Sequence, residues 1–212
     1  MNQHFQNELS IVVNKFPNLA VKSLGQEIYL RGILDVPNDN GDIVGSFLIE
    51  IHSVEKFPYR FPKLYEVGGE IPVHPDWHKY NDNSCCLTVE PDELIICRHG
   101  ITLSYFIESI AIPYFANQLY RKAEGKYFNE YPHGYQGLYV FYAELFNNKD
   151  ISVWLEYLKR TFSGKKAMRN DKCYCASGKK FKYCHMKTEE KLRVLGRTRI
   201  LNDIQDIITS MR

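Results

Sequence analysis

Hydrophobic residues recur at two different spacings along the chain, and the change of spacing marks the predicted elements. Near the N terminus a helical spacing predicts an amphipathic helix that ends near Pro17. The residues at this spacing are Phe5, Leu9, Val12 and Phe16. Apolar and polar residues then alternate over 28–36 and 43–52, as on strands with one buried face. The Asn40-Gly41 pair between these runs is typical of a tight turn, so we expect an antiparallel hairpin.

The pattern changes again after the second strand. Residues 57–75 contain four prolines around one short β-prone run, 63–67, and indicate alternating strand and ordered loop. A helical pattern begins near Thr102 and is kinked or interrupted at Pro113. Two further helices are predicted, over 138–146 and 151–162. Helix, antiparallel strands, irregular loop and helices in this order predict an α+β domain.

A linker at 163–166, Ser-Gly-Lys-Lys, is predicted to separate residues 1–162 from a small tail, 163–212. The tail ends in a predicted helix from about Glu189, with Thr188 as its N-cap. The apolar side of this helix is predicted to carry Leu201, Ile204, Ile208 and Met211. We expect one full domain and a remainder too small to build a large core.

The charge of the chain follows the same division. The 212 residues carry a net charge of +2, and 44% are hydrophobic, which excludes a disordered or fibrous chain. Residues 165–212 hold 13 Lys/Arg against 5 Asp/Glu, a net of +8, and the first 164 hold 14 against 20, a net of −6. The sequence therefore combines an acidic body with a basic tail.

The N-terminal residues resemble no targeting signal, and no apolar run approaches the roughly 20 residues that span a bilayer. We therefore expect a cytoplasmic protein without a membrane segment. Six cysteines without a secretory signal favour free thiols, catalysis or metal binding over a disulfide framework.

Three cysteines and a histidine are clustered in the tail. They have the spacing Cys173-x-Cys175, eight residues, then Cys184-His185. Three thiolates and one imidazole are a complete tetrahedral ligand set for zinc and leave no open position for catalytic water. We therefore predict a structural Zn²⁺ site, and a knuckle around the ion that folds without a hydrophobic core of its own.

The run Cys-x-Cys-x-Ser-Gly-Lys-Lys-Phe-Lys-x-Cys-His resembles the SEC-C zinc module, although Ala176 stands where glycine is common. The resemblance implies zinc on Cys173, Cys175, Cys184 and His185, and docking to a protein or a ribosome. Basic residues around the cluster supply a surface for an acidic protein or RNA, and a solvated face is an equal alternative. These residues are Lys165, Lys166, Arg169, Lys172, Lys179, Lys180 and Lys182.

Roughly over residues 5–146, a predicted helix and β-meander lead to a proline-rich turn, 57–62, and then to His74-Pro75-Asp76, Cys86-Leu87 and a further helix. In this order the features resemble the ubiquitin-conjugating enzyme (UBC) family. The turn is similar to that family's Tyr-Pro-x-x-Pro-Pro segment, His74-Pro75-Asp76 to its His-Pro-Asn motif and Cys86-Leu87 to its active-site Cys-Leu. The resemblance implies a UBC-like fold with the zinc knuckle and a helix appended.

This resemblance implies that Cys86 accepts the C terminus of a protein as a thioester and passes it to an amine. The implied partners are an activating enzyme and a donor, either a ubiquitin-like protein or a second-messenger synthase, as in bacterial antiphage defence. His74 and Asp76 are the other catalytic candidates. Leucine follows Cys86, which favours it over Cys85, and neighbours on an extended chain face opposite ways.

Three features differ from the family pattern. Asp76 replaces the asparagine, and an ionised carboxylate donates no hydrogen bond, so Asp76 is predicted to brace the loop or accept a proton. The loop before Cys86 is longer than usual, and the tryptophan expected after the cysteine is absent. The alternative function is therefore a non-catalytic UBC-fold adaptor that docks to a protein, ribosome or RNA through the zinc module.

Overall fold

The computed structural model describes residues 2–129, 132 and 134–210. The chain divides into two compact units, one formed by Met1–Leu87 with His99–Glu130 and the other by Thr88–Arg98 with Tyr131–Arg212. Their elements include a four-stranded antiparallel sheet and several helices, which confirms the α+β class. The boundary expected after residue 162 lies inside the second unit, and the core of that unit, given below, explains why.

The first unit is built from a helix, a meander and a second helical segment. Its elements are α1 (Gln3–Lys15), β1 (Leu19–Leu24), β2 (Glu27–Pro37), β3 (Ile43–His52), β4 (Lys63–Glu66), a 3₁₀ turn (Pro75–Trp77), α3 (Leu103–Phe106), a π turn (Ile107–Ala111) and α4 (Ile112–Glu124). The predicted helix and both predicted long strands are present, and the short strand ends one residue early. Strand β1 was not predicted, because its burial pattern has one buried residue followed by five exposed ones.

The sheet is a simple meander in the order β1-β2-β3-β4, with antiparallel neighbours. Alternate residues of β2 and β3 point into the core, so that Leu34 lies opposite Phe47 and Leu30 opposite Ile51. Val12 of α1 and Phe115 of α4 are completely buried. The helical segment is interrupted where the sequence predicts, because the π turn ends directly before the turn of α4 that contains Pro113.

The second unit is helical. Its elements are α2 (Glu90–Ile96), α5 (Tyr135–Phe146), α6 (Ile151–Phe162), a 3₁₀ turn (Phe181–Tyr183), α7 (Met186–Val194) and α8 (Gly196–Ser210). Helix α6 has the predicted bounds, and α5 begins three residues earlier than predicted. A single hydrophobic core joins α5 and α6 to the cysteine-rich segment and to α7 and α8, and it contains Tyr142, Phe146, Trp154, Tyr157, Leu158, Cys173, Phe181, Leu192 and Ile200.

The knuckle shares this core with α5 and α6, a packing that the sequence did not predict. Cys173 and Phe181 are 4% and 3% exposed, and both belong to the core that contains residues of these two helices. The prediction of one final helix from Glu189 is wrong. Helix α7 begins at Met186 and ends before Gly196, whose positive φ of 74° starts a separate helix, α8.

The buried side of α8 differs from the prediction as well. Ile204 is buried as expected, but Leu201 and Ile208 are each 38% exposed, and Met211 lies outside the described residues. The buried positions include the carboxylate of Asp203, which a hydrophobic pattern does not predict. Among the described residues, every helix is too short or too polar to cross a lipid bilayer.

Candidate metal centre and candidate thiol site

The structure brings together the four ligands predicted in the tail. The ligand atoms of Cys173, Cys175, Cys184 and His185 all lie within 4.8 Å of one another. His185 Nδ1 is 3.4 Å from the Cys173 sulfur and 3.3 Å from the Cys184 sulfur. The sulfurs of Cys175 and Cys184 are 3.4 Å apart.

The three separations of 3.3 to 3.4 Å are close to those between ligands of a tetrahedral metal ion. With Zn–S bonds of about 2.3 Å and Zn–N bonds of about 2.0 Å, tetrahedral angles separate two sulfurs by about 3.8 Å and a sulfur from a nitrogen by about 3.5 Å. Three thiolates and one imidazole are also the donor set that zinc prefers. The cluster is therefore compatible with zinc, and all four ligands come from the protein.

A short antiparallel pairing brings the two halves of the ligand set together. The Cys173 amide donates to the Lys179 carbonyl at 2.9 Å, and the backbones of Lys172 and Lys180 pair as an antiparallel β-bridge. Between them the chain turns at Ala176 and Gly178, whose φ angles of 57° and 73° are both positive. Ala176 therefore adopts the left-handed conformation that glycine adopts more easily, which explains why glycine is common at this position.

Two groups outside the cysteine-rich segment also contact the ligands. The Tyr157 hydroxyl on α6 lies 2.8 Å from the Cys173 sulfur, and both groups are buried. His185 Nε2 lies 3.0 Å from the Phe146 carbonyl oxygen at the end of α5, which leaves Nδ1 directed at the sulfurs. The sequence gives no sign of either contact, because both depend on how the helices pack.

The hydrogen bonds around the cluster favour the thiolate form of Cys173. Burial raises the pKa of this thiol, but bonds from the Cys175 backbone, the Tyr157 hydroxyl and His185 outweigh burial and lower the pKa to about 6. A metal ligand must be a thiolate, whereas burial and the neighbouring thiols raise the pKa of Cys184 to about 11, so binding of a metal requires Cys184 to lose its proton.

The second candidate site lies in the first unit, on a short hairpin beside β4. The Cys86 amide donates to the His78 carbonyl at 2.7 Å, and the Tyr80 amide donates to the Ser84 carbonyl at 2.8 Å. The turn between them includes Asn83, which adopts a positive φ of 66°. The Cys85 amide donates to the carbonyl of Leu64 on β4 at 2.8 Å, which fixes the hairpin to the sheet.

The two adjacent thiols of this hairpin face opposite ways, as predicted. Cys85 points inward with Lys79, and the two are only 7% and 2% exposed. Tyr80 and Cys86 point to the other face, where the Tyr80 hydroxyl donates to the Cys86 sulfur at 3.1 Å. Burial raises the pKa of Cys85 to about 12. Partial burial also raises the pKa of Cys86, and the Tyr80 hydrogen bond opposes this rise.

A buried ion pair lies beneath the hairpin. Lys79 Nζ is 2.8 Å from a carboxylate oxygen of Glu66, and the side chains are only 2% and 0% exposed. The ammonium also donates to the carbonyls of Glu66 and Ile71, and the Glu66 carboxylate accepts from the amides of Glu70 and Ile71. All three ammonium protons thus have acceptors, so the pair is fully hydrogen-bonded.

Helix α4 supports the segment that precedes the hairpin. The Tyr114 hydroxyl donates to the His78 carbonyl at 3.0 Å, the same oxygen that accepts from the Cys86 amide. The Gln118 side chain donates to the Trp77 carbonyl at 3.0 Å. Because these residues are one helical turn apart, they hold two consecutive carbonyls from one face of α4.

His74 and Asp76 are not joined to the Cys86 thiol by hydrogen bonds among the described residues. His74 Nδ1 accepts from the Asp76 amide at 3.2 Å and caps the 3₁₀ turn at Pro75–Trp77. The two side chains are also 3.5 Å apart and well exposed. In this geometry the His74 ring caps the turn, and the Asp76 carboxylate contacts that ring. Their catalytic role stays a prediction.

Several basic residues around the knuckle are exposed, among them Arg169, Lys172 and Lys180. Lys172 lies directly opposite Lys180 in the antiparallel pairing, and the Lys182 amide donates to the Arg169 carbonyl at 3.0 Å. The Lys182 ammonium lies 4.9 Å from the ring of Tyr183, which is 73% exposed. Within the described part of the chain these four cations form no ion pair with a carboxylate.

A model of the SEC-C motif, a zinc-binding module, matches residues 169–187 of this chain. This segment contains all four clustered ligands. No curated protein and no solved structure matches the chain. The match therefore concerns only the short segment around the Cys/His cluster.

Proposed function

We propose that this protein is a ubiquitin-conjugating-like acyl carrier, with Cys86 as the thiol that accepts the C terminus of a donor protein. The observation that carries the proposal is the position of Cys86 on the outer face of a braced hairpin, next to a four-stranded meander. The order of helix, meander, proline-rich turn, loop, cysteine and helix is the one that the family resemblance implies. Antiphage defence and the bacterial donors named above remain part of the proposal.

The chemistry requires two acyl transfers at one sulfur. Cys86 first loses its thiol proton to solvent, and the thiolate attacks the activated C-terminal carbonyl carbon of the donor. A new carbon–sulfur bond forms, the bond between that carbon and the activating group breaks, and the activating group leaves with the bonding electrons and stays with the activating enzyme. An amine of the acceptor then attacks the thioester carbonyl. The carbon–sulfur bond breaks, Cys86 leaves as a thiolate, and the amine loses a proton as the amide forms.

The surroundings of Cys86 suit a carrier that must resist water. A thiol with a raised pKa is a poorer leaving group, so its thioester reacts slowly until an amine is well positioned. The Tyr80 hydroxyl donates to the sulfur and would stabilise the charge that develops there when the thiolate leaves.

Reconstitution in an extract tests this function. The full chain is incubated with ATP and an extract of its host, and adducts are separated on gels with and without a thiol reductant. We expect a reductant-sensitive adduct with the wild type and with Cys85→Ala, and no adduct with Cys86→Ala. Cys86→Ser should give a reductant-resistant ester. An adduct that survives in Cys86→Ala, or no adduct on the wild type, contradicts the proposal.

We also propose that the cluster in the second unit holds one structural Zn²⁺. Cys173, Cys175, Cys184 and His185 would bind it, and it would stabilise the fold without supplying a site for substrate. Metal analysis of protein purified without chelator should find one zinc per chain. A zinc content below about 0.2 per chain would contradict the proposal of a structural zinc ion.

A second candidate function is favoured by the facing cations on the knuckle. Like charges held opposite each other on paired strands are unfavourable unless a partner neutralises them, and Lys172 and Lys180 are held in this way. An exposed tyrosine beside these cations suits stacking with an unpaired base. In this alternative the protein is a non-catalytic adaptor that docks to RNA, as on a ribosome, through the knuckle.

Binding of single-stranded RNA to the full chain tests the alternative. The double variant Lys172→Gln, Lys180→Gln should bind RNA more weakly. The slope of log affinity against log salt concentration should fall by about two, because two phosphate contacts are lost. Lys15→Gln and Lys22→Gln, on the first unit, are the matched control. Unchanged RNA binding in the knuckle variant, or binding of an acidic peptide in preference to RNA, would reject it.

A further inference from the structure

The Cys/His cluster is in contact with two helices that lie outside the matched motif. The motif covers residues 169–187, whereas α5 and α6 end at residues 146 and 162. Each helix nevertheless contributes one polar group that hydrogen-bonds to a ligand of the cluster. The question is whether these helices only pack beside the site or form part of it.

The contact from α6 is directed at a ligand atom. The Tyr157 side chain is 1% exposed, and its hydroxyl lies 2.8 Å from the Cys173 sulfur. A thiolate on a metal accepts hydrogen bonds but donates none, so the hydroxyl is the donor once Cys173 is bound. The ring of Tyr157 also lies 5.2 Å from the His185 ring. One side chain thus positions two of the four ligands.

The contact from α5 fixes the other ring nitrogen of His185. A histidine that binds a metal through Nδ1 carries its proton on Nε2, and here the Phe146 carbonyl accepts that proton at 3.0 Å. The Phe146 ring lies 5.6 Å from the His185 ring and 5.1 Å from that of Tyr157. The two helices therefore determine the tautomer and orientation of the histidine ligand.

A third contact ties α6 to the chain between the first two cysteines. The Arg160 guanidinium lies 3.5 Å from the centre of the Tyr174 ring and donates to the Tyr174 hydroxyl at 2.5 Å. Tyr174 separates Cys173 from Cys175 in the sequence, so this contact holds the first pair of ligands against α6.

We infer that Tyr157 and the Phe146 carbonyl are outer-shell groups of the metal centre, and that metal binding holds α5 and α6 in place. The metal would then be a folding determinant of helices α5 and α6 in addition to the knuckle. The inference rests on the zinc proposal and adds positioning residues that the motif does not contain.

Metal affinity of a single variant tests the role of Tyr157. Zinc affinity of the full chain is measured by competition with a chromophoric chelator, for the wild type, Tyr157→Phe and a control, Tyr139→Phe. The Tyr139 hydroxyl donates to the Lys149 carbonyl in the same unit. We expect Tyr157→Phe to bind zinc about 10-fold more weakly, in line with other outer-shell groups, and the control to match the wild type.

The spectrum of the cobalt-substituted protein separates positioning from packing. Loss of the hydrogen bond to the Cys173 sulfur raises the energy of its lone pairs, so the sulfur-to-cobalt charge-transfer band should move to longer wavelength. The shift is expected for Tyr157→Phe and not for Tyr139→Phe. An affinity within twofold of the wild type, together with an unchanged band, would overturn the role of Tyr157.

Hydrogen exchange of the wild type tests the second half of the inference and does not depend on a variant. When a chelator removes the metal, amide exchange should accelerate in 135–146 and 151–162 as well as in 169–187. Acceleration confined to 169–187 would overturn it. A wild type without zinc refutes the zinc proposal and this inference together, whereas a zinc-loaded wild type that fails the tests above refutes the inference alone.

Discussion

The Tyr80 hydroxyl donates a hydrogen bond to the Cys86 sulfur across the turn of a short hairpin, with 3.1 Å between the two atoms. The two residues share the outer face of the hairpin, while Lys79 and Cys85 occupy the inner face. Alternation along the hairpin therefore separates the buried thiol of Cys85 from the partly exposed thiol of Cys86. It also gives Cys86 a donor that lies six residues away in the sequence.

Replacing Tyr80 with phenylalanine should raise the pKa of the Cys86 thiol further, because the hydrogen bond that favours the thiolate is lost. At a pH below this pKa the rate of alkylation follows the thiolate fraction. One hydrogen bond is worth about 1 kcal/mol, so the rate at Cys86 should fall about fivefold. Peptide mass spectrometry after iodoacetamide treatment, from about pH 7 to about pH 10, measures the alkylation rate of Cys86. Tyr59→Phe is the control, and equal rates in both variants would refute the role of Tyr80.

Lys79→Met should destabilise the first unit strongly. It leaves the carboxylate of Glu66 buried without its partner, and breaking a buried pair in this way costs about 3–5 kcal/mol. Lys63→Met removes an exposed pair with Asp82 and should cost less than about 1 kcal/mol. Urea unfolding at pH 7 compares the two variants. Similar free energies of unfolding for both would contradict the importance of the buried pair.

The same pair predicts a dependence of stability on pH. Burial raises the pKa of Glu66, but the hydrogen bonds from Lys79 and from two amides outweigh it, and the net pKa is lowered. The resulting stability is present above the ordinary pKa of 4.5 and is lost as pH falls through the lower folded value. The difference in unfolding free energy between the wild type and Lys79→Met should therefore shrink as the pH falls from about 5 to about 3, the range in which the Glu66 carboxylate takes up its proton. A difference that grows with acid would contradict the assignment.

Ala176→Gly should stabilise the knuckle. Ala176 has a φ of 57°, where a side chain costs about 1 kcal/mol that glycine avoids. Gly178→Ala is the reciprocal change, because Gly178 has a φ of 73°. This variant should be less stable than the wild type by a similar amount. Thermal unfolding of the zinc-loaded protein measures both. Shifts of the melting temperature in the same direction would be inconsistent with the observed backbone.

Arg199→Met should destabilise the second unit. Arg199 pairs with Asp203, whose carboxylate is fully buried and also accepts from the Tyr142 hydroxyl at 2.5 Å. Loss of the cation leaves a buried charge, which we expect to cost about 3 kcal/mol. Arg197→Met, which loses only a contact with the Phe162 ring, is the control and should cost less than about 1 kcal/mol. Equal effects in a denaturant titration would contradict this account.

The regular elements of both units were predictable where one periodicity persists. The spacing of Phe5, Leu9 and Val12 gives α1, and the alternation over 43–52 gives β3, since each has one continuous apolar face. Strand β1 was missed because it presents mostly exposed residues, and α8 was misread because Asp203 lies on its buried side. A charged residue such as Asp203 can be buried because Arg199 and Tyr142 bind its carboxylate. A pattern of hydrophobic positions does not reveal such partners.

The candidate sites show the same limit. The four residues of the Cys/His cluster are close in sequence, and their spacing alone indicates a candidate metal site. Tyr157 and Phe146 act on it through tertiary packing, and Lys79 supports the Cys86 hairpin through a carboxylate on β4. The ligand residues can be identified from a short stretch of sequence, but the groups that orient them lie on other helices and strands.

The intact mass of the full chain isolated from its host tests the central claim most directly. Protein purified rapidly at low pH without reductant should include a species heavier than 24.8 kDa by the mass of a polypeptide, and a thiol should return it to 24.8 kDa. The heavier species should persist in Cys85→Ala and disappear in Cys86→Ala. A chain that shows only its own mass, or an adduct retained in Cys86→Ala, would contradict the assignment of Cys86 as an acyl carrier.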